Sequence, residues 1–204
     1  MKARVREISR EELNRLAEIG ALNKIGASQQ RHRREALWQA SLAVRPAGLL
    51  FTGTSVEGPA PLAPMDGMER LQADFRTSGL TIGAHPMRFF REGLVAEGVW
   101  RAEELAGLGN GRVVEVAGLV ICRQQPSTAK GFVFLSLEDE TGISNIILSP
   151  AVFAEHQKAV RGEGYLRVMG VLQNQGGAVS VKGEVVRPLG VAATSPRVAV
   201  QKYC

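Results

Sequence analysis

The sequence predicts an α+β chain in which helices come first and a small β-barrel follows. Three observations carry this. Apolar residues recur at helical spacing in several stretches before residue 111. From Arg112 the pattern changes to β-rich runs with period-two alternation. One helical stretch then interrupts the strands between the third and the fourth.

The first element is an N-terminal helical hairpin. In "REELNRLAEIGALNKI", residues 10–25, Leu13, Leu16, Ile19 and, after the glycine, Leu22 and Ile25 recur at helical spacing. Ser9 followed by Glu12 forms a capping-box pattern. Gly20 interrupts the run and marks a tight helix-to-helix turn. The second helix, "QQRHRREALWQASL", carries Arg31, Arg33 and Arg34 ahead of Leu37 and Trp38. Residues 46–64 are rich in Gly and Pro without a period and read as a connection. A helical linker region spans 65–111. Met65, Met68, Leu71 and Phe75 share a face, with Gly79 beyond the end. Pro86 suits a first helical position with His85 before it. "RAEELAGLGNG" is a further short helix.

Residues 112–189 supply the strands. "RVVEVAGLVIC", "GFVFLSLED" and "ISNIIL" are the first three, and "SPAVFAEHQKAV" is a helix with Ser149 at its N-cap and Pro150 at its first position. "YLRVMGVLQ" and "AVSVKGEVV" follow, joined by the hairpin signal "NQGG". The order β-β-β-α-β-β is that of a five-stranded OB-fold barrel. A plain α+β sheet also fits the string, and the single helix in that slot favours the barrel. Residues 190–204 form a tail.

Composition narrows the function classes. Of 204 residues, 45% are hydrophobic and 22% charged, as in soluble globular proteins. No apolar run is long enough to span a membrane, and no membrane partner is expected. "MKARVREISREEL" has no apolar core behind its basic residues, so it is not read as a secretory signal. Two cysteines make neither a disulfide framework nor a metal site, and a reduced, cytoplasmic protein is expected. The net charge of +5 is uneven. Residues 1–45 carry 10 Lys or Arg against 5 Asp or Glu, whereas 46–111 carry 5 against 8. Nucleic acid is a candidate partner on this basis, although a basic helix is more often a solvated face.

Candidate site residues follow from the barrel. Val133, Leu135 and Leu137 are the natural core filling of the second strand, which puts Phe132 and Phe134 on its outer face, where OB domains stack bases. The competing reading covers both rings with the helical region 65–108. Arg123 and Lys130 flank the polar loop between strands one and two and are read as phosphate contacts. Arg112 and Lys182 are weaker candidates, as are Arg31, Arg33 and Arg34. Asn174 and Gln175 read as turn chemistry. Glu138, Asp139 and Glu140 read as a hairpin corner rather than a metal site, with Asp139 capping backbone donors and Gly142 at positive φ. His85 reads as a helix cap, Cys122 as buried, and His32 and His156 give no metal spacing. No catalytic residue, metal or cofactor is expected.

The run "VAGLVICRQQPSTAKGFVFLSLEDETG" resembles the OB region of bacterial C-family DNA polymerase III alpha subunits, most of all their error-prone branch. "LAEIGALNKIG", "RHRREALWQA" and "MERLQADFRTSGLTIGAHPM" agree, in that order, over roughly residues 9–189. The resemblance implies a part of a polymerase lying behind the fingers: the end of a helix-hairpin-helix region, then the OB domain. Its implied work is binding single-stranded template DNA for damage-tolerant synthesis. Its implied partners are the palm and fingers of the polymerase and other mutagenesis or replisome proteins. Two-metal nucleotidyl transfer needs paired carboxylates. Asp66, Asp74 and Asp139 are the only aspartates and none forms an Asp-x-Asp pair, so no polymerisation by this chain alone is expected. A truncated product, a split subunit and a fragment all fit. Two further readings stay open: an independent OB protein binding single-stranded nucleic acid, and a docking module of a mutagenesis complex.

Overall fold

The structure is a computed structural model and describes residues 8–25, 31–43 and 60–190, with the backbone alone of 201–202. Residues 46–59 of the expected Gly/Pro-rich connection, and 191–200 and 203–204 of the expected tail, lie outside the described residues. The chain divides into two compact units, Met1–Gly83 and Ala84–Cys204.

The first unit holds three helices: α1 (Arg10–Glu18), α2 (Arg33–Ala43) and α3 (Gly67–Ser78). The capping box is present as read: Glu12 N–H donates to Ser9 Oγ, and Ser9 N–H donates to Glu12 Oε2. The first helix is shorter than its periodicity implies. It ends at Glu18 because Gly20 takes φ 82, the left-handed region that glycine enters without a Cβ clash. Gly20 N–H then bonds Ala17 O and Ala21 N–H bonds Leu16 O, the double closure of a Schellman motif. Residues 20–25 continue as turns. Helix α3 is capped by Asp66 in a second capping box with Glu69 and stopped by Gly79 at φ 73.

The second unit is a closed barrel with a helical belt. Its strands are β1 (Val113–Gln124), β2 (Val133–Glu138), β3 (Ile143–Leu148), β4 (Tyr165–Gln175) and β5 (Ala178–Pro188). Helix α5 (Pro150–Gly162) sits between β3 and β4, with Ser149 as N-cap, as the sequence reading has it. The order β2-β3-β5-β4-β1 closes through a β1–β2 pairing, and β3 runs parallel to β5. A closed sheet has no open edge to aggregate. This is the five-stranded OB barrel. The β4–β5 hairpin turns on Gly176 and Gly177, at φ 59 and 85, as a two-residue primed turn demands. A two-residue strand, β6 (Gln201–Lys202), runs parallel to β1 beside Cys122 and Arg123.

Alternation fills the barrel. Val133, Leu135 and Leu137 are buried with Val116, Val120, Ile146, Leu148, Leu166, Val168 and Val181. A second apolar cluster lies outside the barrel wall. There Met87, Leu94 and Val99 pack on Ala117, Leu119 and Tyr165. Met87 comes from the 3-10 turn Pro86–Phe89, Leu94 from α4 (Arg91–Ala96), and Val99 from the segment that follows it. The segment "RAEELAG" is a 3-10 helix, Ala102–Gly107, rather than an α-helix, and it drops Leu105 into the barrel core. Among the described residues no helix is long and apolar enough to cross a membrane.

Candidate nucleic-acid interface

The outward face of the barrel wall is defined by register. Gln124 pairs Phe134, Phe134 pairs Ile147, and Ile147 pairs Lys182. These four therefore form one row across β1, β2, β3 and β5. Their strand neighbours Val133, Leu135, Ile146, Leu148 and Val181 are buried, so the row faces out. A second outward row lies beside it: Cys122, Ser136 and Asn145. Cys122 is half-buried there rather than buried.

Phe132 enters this face from the loop. The loop contains a 3-10 turn, Ser127–Ala129, followed by Lys130 at φ 48 and Gly131 at φ 83. Phe132 N–H closes the turn on Ala129 O at 3.0 Å. Lys130 is the one non-glycine at positive φ among the described residues, a conformation costing about 1–2 kcal/mol. The turn exposes its ammonium, which has no ion-pair partner among the described residues. Phe132 is 36% exposed and Phe134 half-buried. The residues of α4 and the preceding turn pack on Ala117, Leu119 and Tyr165, and neither phenylalanine belongs to that cluster.

The basic candidates separate into two groups. Lys130 and Lys182 are exposed and carry no ion pair among the described residues. Arg123 points elsewhere. Its Nε donates to Val160 O at 2.6 Å and its Nη2 donates to Glu163 O, so it satisfies carbonyls at the C-terminus of α5. Burial holds its pKa below the usual arginine value. Arg112 lays its guanidinium 4.8 Å from the Trp100 ring centroid, in cation–π geometry. In the first unit Arg33 meets Asp74 at 2.6 Å, with both side chains nearly buried, and Arg34 meets Glu69 at 2.6 Å. Arg31 reaches Glu35 only at 4.0 Å. The basic run on α2 thus answers an acidic row on α3. Its partners lie 35 and 41 residues on, which a local reading of charge does not reveal.

The acidic corner is a structural hub. Asp139 is buried. Its Oδ1 accepts from Thr141 N–H, Thr141 Oγ1 and Gly142 N–H, at 2.7, 2.7 and 3.0 Å. Its Oδ2 accepts from Ala102 N–H at 2.9 Å and Arg91 Nη2 at 3.0 Å. Arg91 also binds Glu140 in a two-pronged contact. Gly142 does not take a positive φ, contrary to the expectation, because the carboxylate itself closes this turn. Among the described residues no group of His, Cys, Asp and Glu could hold a metal ion. His85 caps the Pro86–Phe89 turn, its Nδ1 accepting from Met87 N–H at 3.2 Å. Asn174 does more than turn chemistry: its Nδ2 donates to Ala106 O and Leu108 O, tying the hairpin to the segment before β1.

Burial alone would raise the Asp139 pKa, but Thr141, the Ala102 and Thr141 N–H groups and Arg91 outweigh it and hold it below the ordinary carboxylate value. A depressed folded-state pKa gives stability that is complete above the unfolded-state value, about 3.9, and is lost as pH falls through the lower folded value. Thermal unfolding followed against pH is expected to show a falling Tm below about pH 4. Asp139→Asn is expected to lower Tm at pH 7 and to flatten that acid limb.

Comparison with known proteins now adds lineage to this geometry. Residues 104–189 match the family model described as OB-fold nucleic acid binding domain. The chain is 41% identical over 192 residues to the error-prone DNA polymerase of Anaeromyxobacter sp. (strain K), covering 93% of this chain and 17% of that protein. This chain is homologous to the C-terminal region of error-prone DNA polymerases. Error-prone DNA polymerase 1 of Rhizobium meliloti (strain 1021) is 38% identical, with 85% of this chain and 16% of that protein covered. The error-prone DNA polymerase of Mycobacterium tuberculosis (strain ATCC 25618 / H37Rv) is 39% identical over 188 residues, 91% of this chain and 17% of that protein. The chain therefore spans about a sixth of the length of these polymerases. The stretch that matches the OB-fold family model contains all five strands of the barrel.

Proposed function

We propose that the outer face of β2, β3 and β5 binds single-stranded DNA, and that in a full-length error-prone polymerase it holds template during translesion synthesis. The observation that carries this reading is the row Phe134, Ile147 and Lys182 in register on the outer wall, with Phe132 and Lys130 at its rim. Aromatic rings beside unpaired lysines are what a single strand uses: stacking for its bases and cations for its phosphates. The chain's own residues offer binding and positioning rather than nucleotidyl transfer. The palm and fingers of the polymerase, and other mutagenesis or replisome proteins, are its proposed partners. Arg112, on its indole platform, is a peripheral candidate in the same reading, and Arg31 is a separate phosphate candidate on the first unit. Arg123, Arg33 and Arg34 are engaged internally and are left out of the proposed contact set.

The test is anisotropy of a fluorescent oligothymidylate titrated with the whole chain at low salt. Each base–aromatic stack is worth about 1–3 kcal/mol, so Phe132→Ala with Phe134→Ala is expected to weaken binding roughly thirtyfold or more. With Lys130 and Lys182 as the phosphate contacts, the log–log salt slope is expected near about −1.4. Lys130→Gly removes one charge and relieves the left-handed backbone, so it should halve the slope without lowering Tm. Binding unchanged in the double phenylalanine variant, or absent at low salt, would make this face a protein-docking surface instead.

A further inference from the structure

We infer that Asn145 reads the edge of one base on this face and gives the site a preference for adenine. The inference rests on the proposed single-strand reading and deepens it. Asn145 sits in the middle of β3, exposed, between the buried Ser144 and Ile146. Asparagine is a poor strand residue, and this one contributes nothing to the core. Its cross-strand neighbour is Ser136, whose Oγ lies 3.5 Å from Asn145 Oδ1, the outer limit of a hydrogen bond. Among the described residues its Nδ2 makes no hydrogen bond, so the amide keeps a free donor and a spare acceptor lone pair.

Position turns that spare capacity into a reading head. Ser136 and Asn145 form the outward row next to Phe134 and Ile147. Two residues along a strand separate the rows by roughly 7 Å. A purine stacked on Phe134 extends its edge toward that row, whereas a pyrimidine ends short of it. An asparagine amide pairs with adenine by accepting from N6–H and donating to N7. Guanine presents two acceptors, O6 and N7, along the corresponding edge and leaves the amide oxygen unmatched.

The experiment compares a thymidylate decamer with the same decamer carrying adenine at alternate positions, both binding the whole chain by anisotropy. The adenine-bearing strand is expected to bind at least about fivefold more tightly, as one good amide–adenine pair allows. Asn145→Thr keeps a good strand former and removes the amide. It is expected to abolish the difference while leaving thymidylate affinity and Tm unchanged. Equal affinities in the unaltered chain, or a preference that survives Asn145→Thr, would overturn the inference while leaving single-strand binding intact. Failure of both strands to bind would defeat the underlying reading and this one with it.

Discussion

A fragment beginning at Arg112 is expected not to fold, whereas one beginning at Ala84 folds cooperatively. The five strands alone look like a complete barrel, but their wall carries Ala117, Leu119 and Tyr165 as an outer apolar patch. Met87, Leu94 and Val99 cover that patch, and burial of each such side chain is worth about 1.5–3 kcal/mol. The same segment supplies Arg91, which meets Asp139 and Glu140 with its own side chain buried. Removing one partner of a buried pair costs about 3–5 kcal/mol, since it leaves a buried charge unanswered. Leu105 would also leave the barrel core. Domains of this size are stable by only about 5–15 kcal/mol, so the losses exhaust the margin. Circular dichroism with thermal melts decides it. A cooperative transition in the Arg112 fragment, at the Tm of the Ala84 fragment, would show the helical belt to be an accessory.

Gly170→Ala is the single substitution expected to damage the barrel most. A Cβ at this position would lie 2.1 Å from Lys182 O and 2.8 Å from Gly183 Cα. Both obstacles are backbone, so no side-chain rotation relieves them. The site is where β4 and β5 shift register, between Met169 and Gly170. Gly183 opposite is enclosed by side chains, its Cβ position 2.6 Å from Leu148 Cδ2. Overpacking a full core costs about 1–3 kcal/mol, and here the hairpin must also move apart, so a loss at the upper end of that range and a clearly lowered Cm are expected. Urea unfolding reads it. A Cm within error of the unaltered chain would mean the β4–β5 pairing has slack that the structure does not show.

Much of this architecture was legible in the sequence, and for identifiable reasons. Gly176-Gly177, Ser149-Pro150 and the alternation of Val133, Leu135 and Leu137 are local signals, each read correctly because turn, cap and strand chemistry depend on near neighbours. The outward placement of Phe132 and Phe134 follows from the same alternation. What the sequence concealed was long-range pairing of charge. Arg91 answers Asp139 and Glu140 from 48 and 49 residues away, and Arg33 answers Asp74 from 41. Nothing local distinguishes those arginines from solvated ones. The setting of Arg123 is hidden for a related reason. Its position at the end of β1 suggests the loop, but the bulge between Val120 and Cys122 shifts the strand, and the guanidinium caps α5. A lone asparagine in "ISNIIL" carries no pattern; only the register beside Phe134 gives Asn145 a setting.

The central claim is that one face of the barrel, not the molecule's general basic charge, holds the single strand. Two-dimensional amide NMR of the chain titrated with an oligothymidylate tests it most directly. Saturable shifts concentrated at Lys130, Phe132, Phe134, Ile147 and Lys182 are expected, with the Pro86–Ala96 segment silent. Shifts confined to the helices of Met1–Gly83, or spread over every exposed lysine and arginine alike, would contradict it.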